Sequence, residues 1–349
     1  MAVERVVIAG AGIIGCTIAW RLAQRGVHVT VVEPNLPAQK ASWAAAGMLL
    51  PILDPSSPLQ LLARLSFQQY PSFVEELRSV TGIDAELQLE AQGGSVDNRK
   101  LGQAAYAAAV SAGVEFRLGV SARRVVWQRA RFTHLTLDDG NSVTADAVLI
   151  AAGAWSGQIV GLPVRIPVTP VRGQMVAVEH ATPLVPHIIK GETCYLVPRG
   201  ERRTLIGATV ERVGFDESVT EPGINGLLMA AYEMVPAIAE ARIVEKWAGL
   251  RPGTPDDAPI LGADSHVEGV FYATGHYRNG ILLAPITARI MADLITEGSS
   301  QFHLEDFAID RFVVPIADPR CDLCGSPMQE WHCRLICSAC GYQRDCSDP

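Results

Sequence analysis

The chain has 349 residues, enough for two or three domains, with 48% hydrophobic and 19% charged residues and a formal net charge of −8. That acidity argues against non-specific binding to nucleic acid or to an anionic membrane. No apolar run reaches the roughly 18 residues that a membrane span needs, and no basic, cleavable leader precedes Val6, so neither a spanning helix nor a signal peptide is expected.

Residues 6–9 read as a buried strand. Gly10, Gly12 and Gly15 follow in G-x-G-x-x-G spacing, and residues 13–24, opening with Ile13 and Ile14, carry apolar side chains at helical period. Gly26 ends that helix, and residues 27–32 alternate as a second strand closed by Glu33. Strand, turn, helix, strand and terminal acid in this order form a dinucleotide-binding βαβ unit. Gly10 permits a tight turn, Gly12 a close approach to a pyrophosphate, and Gly15 close helix packing. The helix N-terminus offers N–H groups and partial positive charge to the phosphates. Glu33 can accept hydrogen bonds from a ribose diol and would repel a 2′-phosphate. NADP is thereby disfavoured, and FAD and NAD remain.

Residues 41–49, ASWAAAGML, are mostly small. Their backbone could lie flat against something planar, or simply begin a tightly packed helix. Residues 59–80 read as a scaffold helix stopped by Gly82, residues 83–94 as a short connection, and residues 99–112 as another helix. Strands are expected at 114–118, 124–128 and 132–137, a hairpin turn at 138–141, and one strand over 143–150. That strand runs into Ala151, Ala152, Gly153, Ala154, Trp155 and Ser156, small residues that suit a second backbone approach to a cofactor.

Short alternating segments at 174–178, 194–198 and 204–207, with a helix at 224–235, read as a mostly antiparallel sheet with helical cover, inserted into the first domain. Then come WAGLRPGT at 247–254 and a strand, glycine-rich turn and helix over 270–295. The turn contains Gly275, His276, Tyr277, Arg278 and Asn279, with Gly280 after them. Pro315 and Pro319 punctuate a linker.

Six of the eight cysteines fall in the last 29 residues, a local site that leaves the body of the protein with the cysteine usage of a reducing cytoplasm. Cys321-x-x-Cys324 and Cys337-x-x-Cys340 form two knuckles, which together would complete a tetrahedral thiolate site. The pattern resembles a zinc ribbon, and so short a segment would draw its folding energy from the metal. Disulfides or redox-active pairs are the alternatives, and His332, Cys333 and Cys346 are left over. The tail mixes acids with its arginines and lacks a basic footprint, so a structural or protein-docking role is expected rather than nucleic-acid binding.

The G-x-G-x-x-G unit with Glu33, together with residues 42–49, 151–156, 194–199, 247–254 and 275–285, resembles the FAD-dependent amine oxidases of the D-amino acid oxidase type. Within them the chain is most similar to the glycine oxidases of thiamine biosynthesis. The resemblance implies an α/β fold: a discontinuous Rossmann-type FAD domain (1–82, 95–165 and 246–314), an inserted antiparallel α+β substrate domain (83–94 and 166–245), and the zinc-ribbon tail (320–349). It implies that Val120 meets the adenine through its backbone. Ser42, Ala45, Ala46, Gly47 and Met48, with Ala152, Gly153 and Trp155, would lie along the cofactor. Asn279, Gly280, Ile281 and Leu282 would stand at the pyrimidine end of the flavin, where a helix N-terminus favours negative charge.

Arg251 would fork the substrate carboxylate, Tyr195 would reach it too, and the Arg278 carbonyl would accept from the amine or brace the turn. His276 reads as structural. The implied reaction is hydride transfer from Cα to flavin N5, hydrolysis of the imine, and reoxidation by molecular oxygen with release of hydrogen peroxide. Glycine would give glyoxylate and ammonia, or an imine passed to thiazole synthesis. A D-amino acid or sarcosine dehydrogenase, or a flavoprotein scaffold without turnover, is the alternative. An assembly of identical chains is expected. The pattern departs from the family in two places. The connection at 86–95 is short where the family has further strands and helices, and Val210 follows Gly207-Ala208-Thr209 where glycine oxidases carry methionine.

Overall fold

The computed structural model describes residues 3–51, 57–91 and 93–312, and in the tail 321, 323, 326, 328–331, 334–337 and 339–345. The chain opens with β1 (Arg5–Ala9), α1 (Ile13–Gln24) and β2 (His28–Glu33), the βαβ unit that the periodicity predicts. Next come α2 (Ala41–Ala44), β3 (Met48–Leu49) and the long α3 (Pro58–Thr81), which stops where Gly82 turns to φ +73°.

Residues 83–94, expected as a bare connection, instead carry β4 (Gln88–Glu90) and most of β5 (Gly93–Ser95), which join β3 in a small sheet. Glycine makes the tight pairing possible: a Cβ on Gly94 would lie 2.3 Å from the Gln88 carbonyl oxygen. The Asp97 carboxylate accepts from the N–H groups of Arg99 and Lys100 and so starts α4 (Asn98–Ser111).

Strands β6 (Glu115–Leu118), β7 (Ala122–Gln128) and β8 (Arg131–Leu137) follow as expected. The single strand expected over 143–150 is two strands, β9 (Ser142–Thr144) and β10 (Ala147–Ile150), in different sheets. The break is at Asp146, whose carboxylate accepts from the N–H groups of Glu4 at 3.1 Å and Arg5 at 2.8 Å and turns the chain alongside β1.

The remaining body holds β11 (Thr169–Glu179), β12 (Ile189–Lys190), β13 (Tyr195–Arg199), β14 (Arg203–Gly207), α5 (Glu221–Met234) and β15 (Arg242–Gly253). It closes with β16 (Ile260–Ala263), β17 (Val270–Thr274) and α6 (Gly280–Glu297).

Two sheets position everything that matters here. The first has the order β16-β17-β10-β1-β2-β6, parallel except for the antiparallel edge strand β16. Its central strands β1, β10 and β17 are near-continuously apolar and buried, as helical crossovers on both faces require. The second is antiparallel, in the order β12-β13-β14-β11-β15. Alternation sorts its side chains. Val176, Val178, Leu196 and Ile206 pack with Ile224, Leu227 and Ala231 of α5. Met175, Ala177, Val197, Leu205 and Trp247, on the opposite face, pack with Ala44 and Ala46. Both sheets lie in one compact unit, Met1–Asp310. No helix among the described residues is long and apolar enough to cross a membrane.

Helix α6 contains Pro285, which has no N–H to give the Ile281 carbonyl one turn earlier. Two buried side chains of α3 repair the gap. The Tyr70 hydroxyl donates to the Ile281 carbonyl, and the Ser66 hydroxyl donates to the Leu282 carbonyl at 2.7 Å.

The tail, Arg311–Pro349, is a separate unit. Within it β18 (Met328–Trp331), β19 (Arg334–Cys337) and β20 (Gln343–Asp345) form an antiparallel sheet in chain order. The proline-punctuated linker expected at 315–319 lies outside the described residues.

Removing the Tyr70 hydroxyl leaves a buried carbonyl unsatisfied. Tyr70→Phe should therefore lower unfolding stability by about 1–3 kcal/mol in a denaturant titration. Adding Pro285→Ala to it, which restores an N–H, should recover part of that loss. Additive losses in the double variant would contradict the repair.

Candidate active site

Strands β1, β2, β10 and β17 deliver their carboxyl ends to one cavity of about 990 Å³, through Gly10, Glu33, Ala151–Ala152 and Gly275. Ligands in open α/β sheets lie there because the turns and helix N-termini converge beyond that edge. The three fingerprint glycines have different surroundings. Gly10 takes φ +107°, and a Cβ on it would lie 2.5 Å from the Ala151 carbonyl oxygen. A Cβ on Gly15 would lie 2.0 Å from the Gly10 carbonyl oxygen, so Gly15 serves the crossing of helix and strand and does not line the cavity. Gly12 has φ −68° and ψ 179°, open to any residue, and a Cβ there would touch only Ser42 Oγ at 3.4 Å. Neither backbone conformation nor protein packing calls for glycine at position 12. The space beside it belongs to whatever enters the cavity.

Glu33 is nearly buried, and its carboxylate accepts from the N–H groups of Ala11 at 2.8 Å and Asn35 at 3.0 Å while lining the cavity. Ser42 accepts from the Ile13 N–H at 2.9 Å and ties the small-residue segment to the start of α1. Ile13, Ile14, Ser42, Ala45, Ala46, Gly47 and Met48 all line the cavity, as do Ala152, Gly153 and Trp155. Gly275, Arg278, Asn279, Gly280, Ile281 and Leu282 line it too, and no side chain caps the N-terminus of α6. Val120 is not among the lining residues, although Ser121 and Ala122 beside it are. The open space at Gly12, the fixed acid and the uncapped start of α6 fit a dinucleotide carrying a diol.

The antiparallel sheet supplies the polar groups at the other components of the cavity. Arg251 on β15 lies flat on Gly173 of β11, where a Cβ would come within 2.4 Å of its Cζ. Its Nη1 donates to the Thr209 carbonyl at 3.0 Å. Among the described residues no carboxylate lies within 4.0 Å of Arg251. Tyr195, Gly207 and Met175 fall in one row across β13, β14 and β11. With no side chain on Gly207, the Tyr195 hydroxyl reaches Met175 Sδ at 3.4 Å. Burial pushes the Tyr195 phenol above its ordinary pKa, against the pull of Arg251 and Arg278, so it keeps a proton to donate.

Arg278 is exposed at the cavity, with its guanidinium 4.9 Å from the Tyr277 ring. His276 is buried and held neutral, its pKa brought down to about 3 by burial. Its Nε2 lies 3.2 Å from Thr287 Oγ1 on α6, a contact in keeping with the structural reading of His276.

Sequence reasoning passed over several residues. Gly173 and Gly207 are glycines inside strands, a recognised sign that something approaches the backbone closely. Lys40 pairs with Glu217 at 2.7 Å and stands 5.3 Å from the Trp155 ring, and Phe215 packs on that ring at 5.7 Å. Lys40, Glu217 and Phe215 line the cavity beside Trp155, and no local pattern marks those three.

In the tail, Cys321, Cys337 and Cys340 bring their sulfurs within 4.8 Å of one another, with Cys321 and Cys337 buried. Cys321 and Cys340 stand 3.3 Å apart, beyond the roughly 2.05 Å of a disulfide bond. The Gly341 N–H donates to the Cys337 carbonyl at 2.8 Å, closing one knuckle. Cys324, the fourth expected ligand, lies outside the described residues, as do His332, Cys333 and Cys346.

The profile of the DAO family, FAD dependent oxidoreductase, matches residues 5–91 and 87–294. The two pieces meet in the connection that the sequence reading identifies as shortened. The glycine oxidase of Pseudomonas aeruginosa is 34% identical over 345 residues, covering 84% of this chain and 95% of that protein. The bifunctional protein ThiO/ThiG of Trichormus variabilis is 35% identical over 364 residues, covering 88% of this chain and 55% of that protein. This alignment is longer than the chain itself, so the relative carries residues missing here. The crystal structure of glycine oxidase from Geobacillus kaustophilus superposes with a TM-score of 0.84 at 31% identity, covering 89% of this chain and 99% of that one.

The different surroundings of the fingerprint glycines separate their roles. Gly12→Ala should change unfolding stability of the cofactor-free protein by less than about 0.5 kcal/mol yet weaken dinucleotide binding at least about tenfold. Gly15→Ala should cost about 1–3 kcal/mol or more in stability. Equal dinucleotide affinity in Gly12→Ala and the wild type would refute the assignment of that space.

Proposed function

This chain belongs to the DAO family of FAD-dependent oxidoreductases, and we propose that it is a glycine oxidase whose carboxylate-binding group is Arg251. One observation carries the reading. A guanidinium faces the cofactor cavity with no acidic partner among the described residues, beside a protonated tyrosine. A partly buried cation without a counter-ion is unfavourable, and a substrate carboxylate supplies one.

Gly12, Ile13 and the Ala45–Met48 backbone would hold FAD, with Glu33 on its ribose and the start of α6 facing its electron-rich edge. When bound, FAD supplies the acceptor for the hydride leaving Cα. The protein's own contribution is orientation. Arg251 forks the carboxylate, Tyr195 donates a further hydrogen bond to it, and the amino group is left free to enter uncharged. Glycine, oxygen and water then give glyoxylate, ammonia and hydrogen peroxide. The likeness to glycine oxidases of thiamine biosynthesis supports delivery of the imine to thiazole synthesis instead. The fused relative, in which a second unit accompanies the matching part, supports a partner in that role.

A peroxide assay over glycine, sarcosine and D-amino acids tests the activity, with an artificial dye acceptor separating oxidase from dehydrogenase. In the same assay Arg251→Ala should raise KM for glycine at least about a hundredfold, the scale of losing a charge-assisted fork. An unchanged KM would remove Arg251 from the substrate.

We also propose that the tail binds zinc through Cys321, Cys337, Cys340 and Cys324. Sulfurs on one tetrahedral zinc stand about 3.8 Å apart, given bonds of about 2.3 Å, and the three described sulfurs are already within 4.8 Å. Metal analysis should find about one zinc per chain, lost on Cys337→Ser. A full complement of zinc in that variant would exclude the site.

A further inference from the structure

Arg199 has no part in the roles above. It stands on β13 four residues beyond Tyr195, so strand alternation puts both on the face that packs with Ala44 and Ala46. Its nearest carboxylate, Asp97, is 4.0 Å away and already accepts from two N–H groups of α4. The guanidinium spends its fork on main chain instead. Nη1 donates to the Val96 carbonyl at 2.6 Å, and Nη2 to the Ala46 carbonyl at 2.8 Å.

Those two carbonyls flank the point where two segments pair. The Val96 N–H donates to the Gly47 carbonyl at 2.9 Å, and Met48 pairs with Ser95. Gly47 takes φ +72°, and a Cβ on it would lie 2.1 Å from the Val96 carbonyl oxygen and 3.1 Å from Arg199 Nη2. Arg199 therefore closes a turn that no side chain of its own could close. Ala46, Gly47 and Met48 line the cavity, whereas Arg199 stands outside it. Tyr195, on the same strand, lines the cavity directly.

We propose that Arg199 is a positioning residue for the flavin. Its fork fixes the Ala46–Met48 backbone relative to β13, so one strand sets both the tyrosine that meets the substrate and the backbone that meets the ring. The inference rests on the reading that FAD occupies the cavity. Lysine is no substitute, because one ammonium cannot reproduce a planar fork to two carbonyls.

The test uses the full chain as wild type, Arg199→Met and Arg199→Lys. Each is stripped of FAD and titrated with it by flavin fluorescence, and the visible flavin bands and the kinetics with glycine are then recorded. Arg199→Met should bind FAD at least about tenfold more weakly, with altered flavin bands. Its kcat should fall while KM for glycine changes less than about threefold, because Arg251 and Tyr195 remain in place. Arg199→Lys should fall between the two in FAD affinity.

Wild-type affinity and bands in Arg199→Met overturn the proposal whatever its stability. A raised KM with unchanged kcat overturns it also, by moving Arg199 to the substrate side. If Arg199→Met does not fold, wild-type affinity and bands in Arg199→Lys overturn it. A wild-type chain that takes up no FAD overturns the cofactor reading, and this inference with it. Tight wild-type binding with an indifferent variant overturns this inference alone.

Discussion

The arrangement depends on strands that are bare where they meet their neighbours. Gly173 lets the Arg251 guanidinium lie on the backbone, and Gly207 lets Tyr195 reach across to Met175. Gly249 brings β15 so close to the small-residue segment that a Cβ there would lie 2.4 Å from Ala44 Cβ. At each position any side chain would lift a polar group or a cofactor-facing turn out of place. Glycine in a strand is unfavourable on entropic grounds; the long antiparallel pairing of β11 with β15 holds Gly173 and Gly249, and pairing with β11 and β13 holds Gly207.

The turn at residues 44–48 is held from several directions. The Trp247 indole N–H donates to the Ala44 carbonyl at 3.0 Å. The Asn98 amide donates to the carbonyls of Ser42 at 2.8 Å and Trp43 at 3.0 Å. Alanine and glycine offer no side chains with which to fix themselves, so the surrounding strands and α4 do it for them. Such external support is how a site built on loop backbone acquires the precision of a regular element.

Much of the nucleotide-binding half is legible in sequence because its signals are local. The bounds of α1, the cap at Gly82 and the acid that ends β2 follow from neighbours a few residues apart. The misread places have distant causes. One strand becomes β9 and β10 because Asp146 binds the N–H groups of Glu4 and Arg5, far away in the chain. The connection at 83–94 becomes β4 and β5 because β3 offers an edge to pair with. Arg251 is recognisable from its motif, but its seat on Gly173 is not, since that contact exists only after β11 and β15 pair. In the tail the spacing of the cysteines suffices to foresee that Cys321 meets Cys337 and Cys340.

Alternation along the antiparallel sheet has a consequence for how such a protein can change length. Gly173 and Met175 of β11 line the cavity while Val176 and Val178 pack with α5, so a one-residue slip of register would point Gln174 where Met175 belongs. Gains and losses of chain are harmless only where no row is at stake. The short stretch before β5 is such a place: β4 pairs only with β5, outside the rows of the antiparallel sheet.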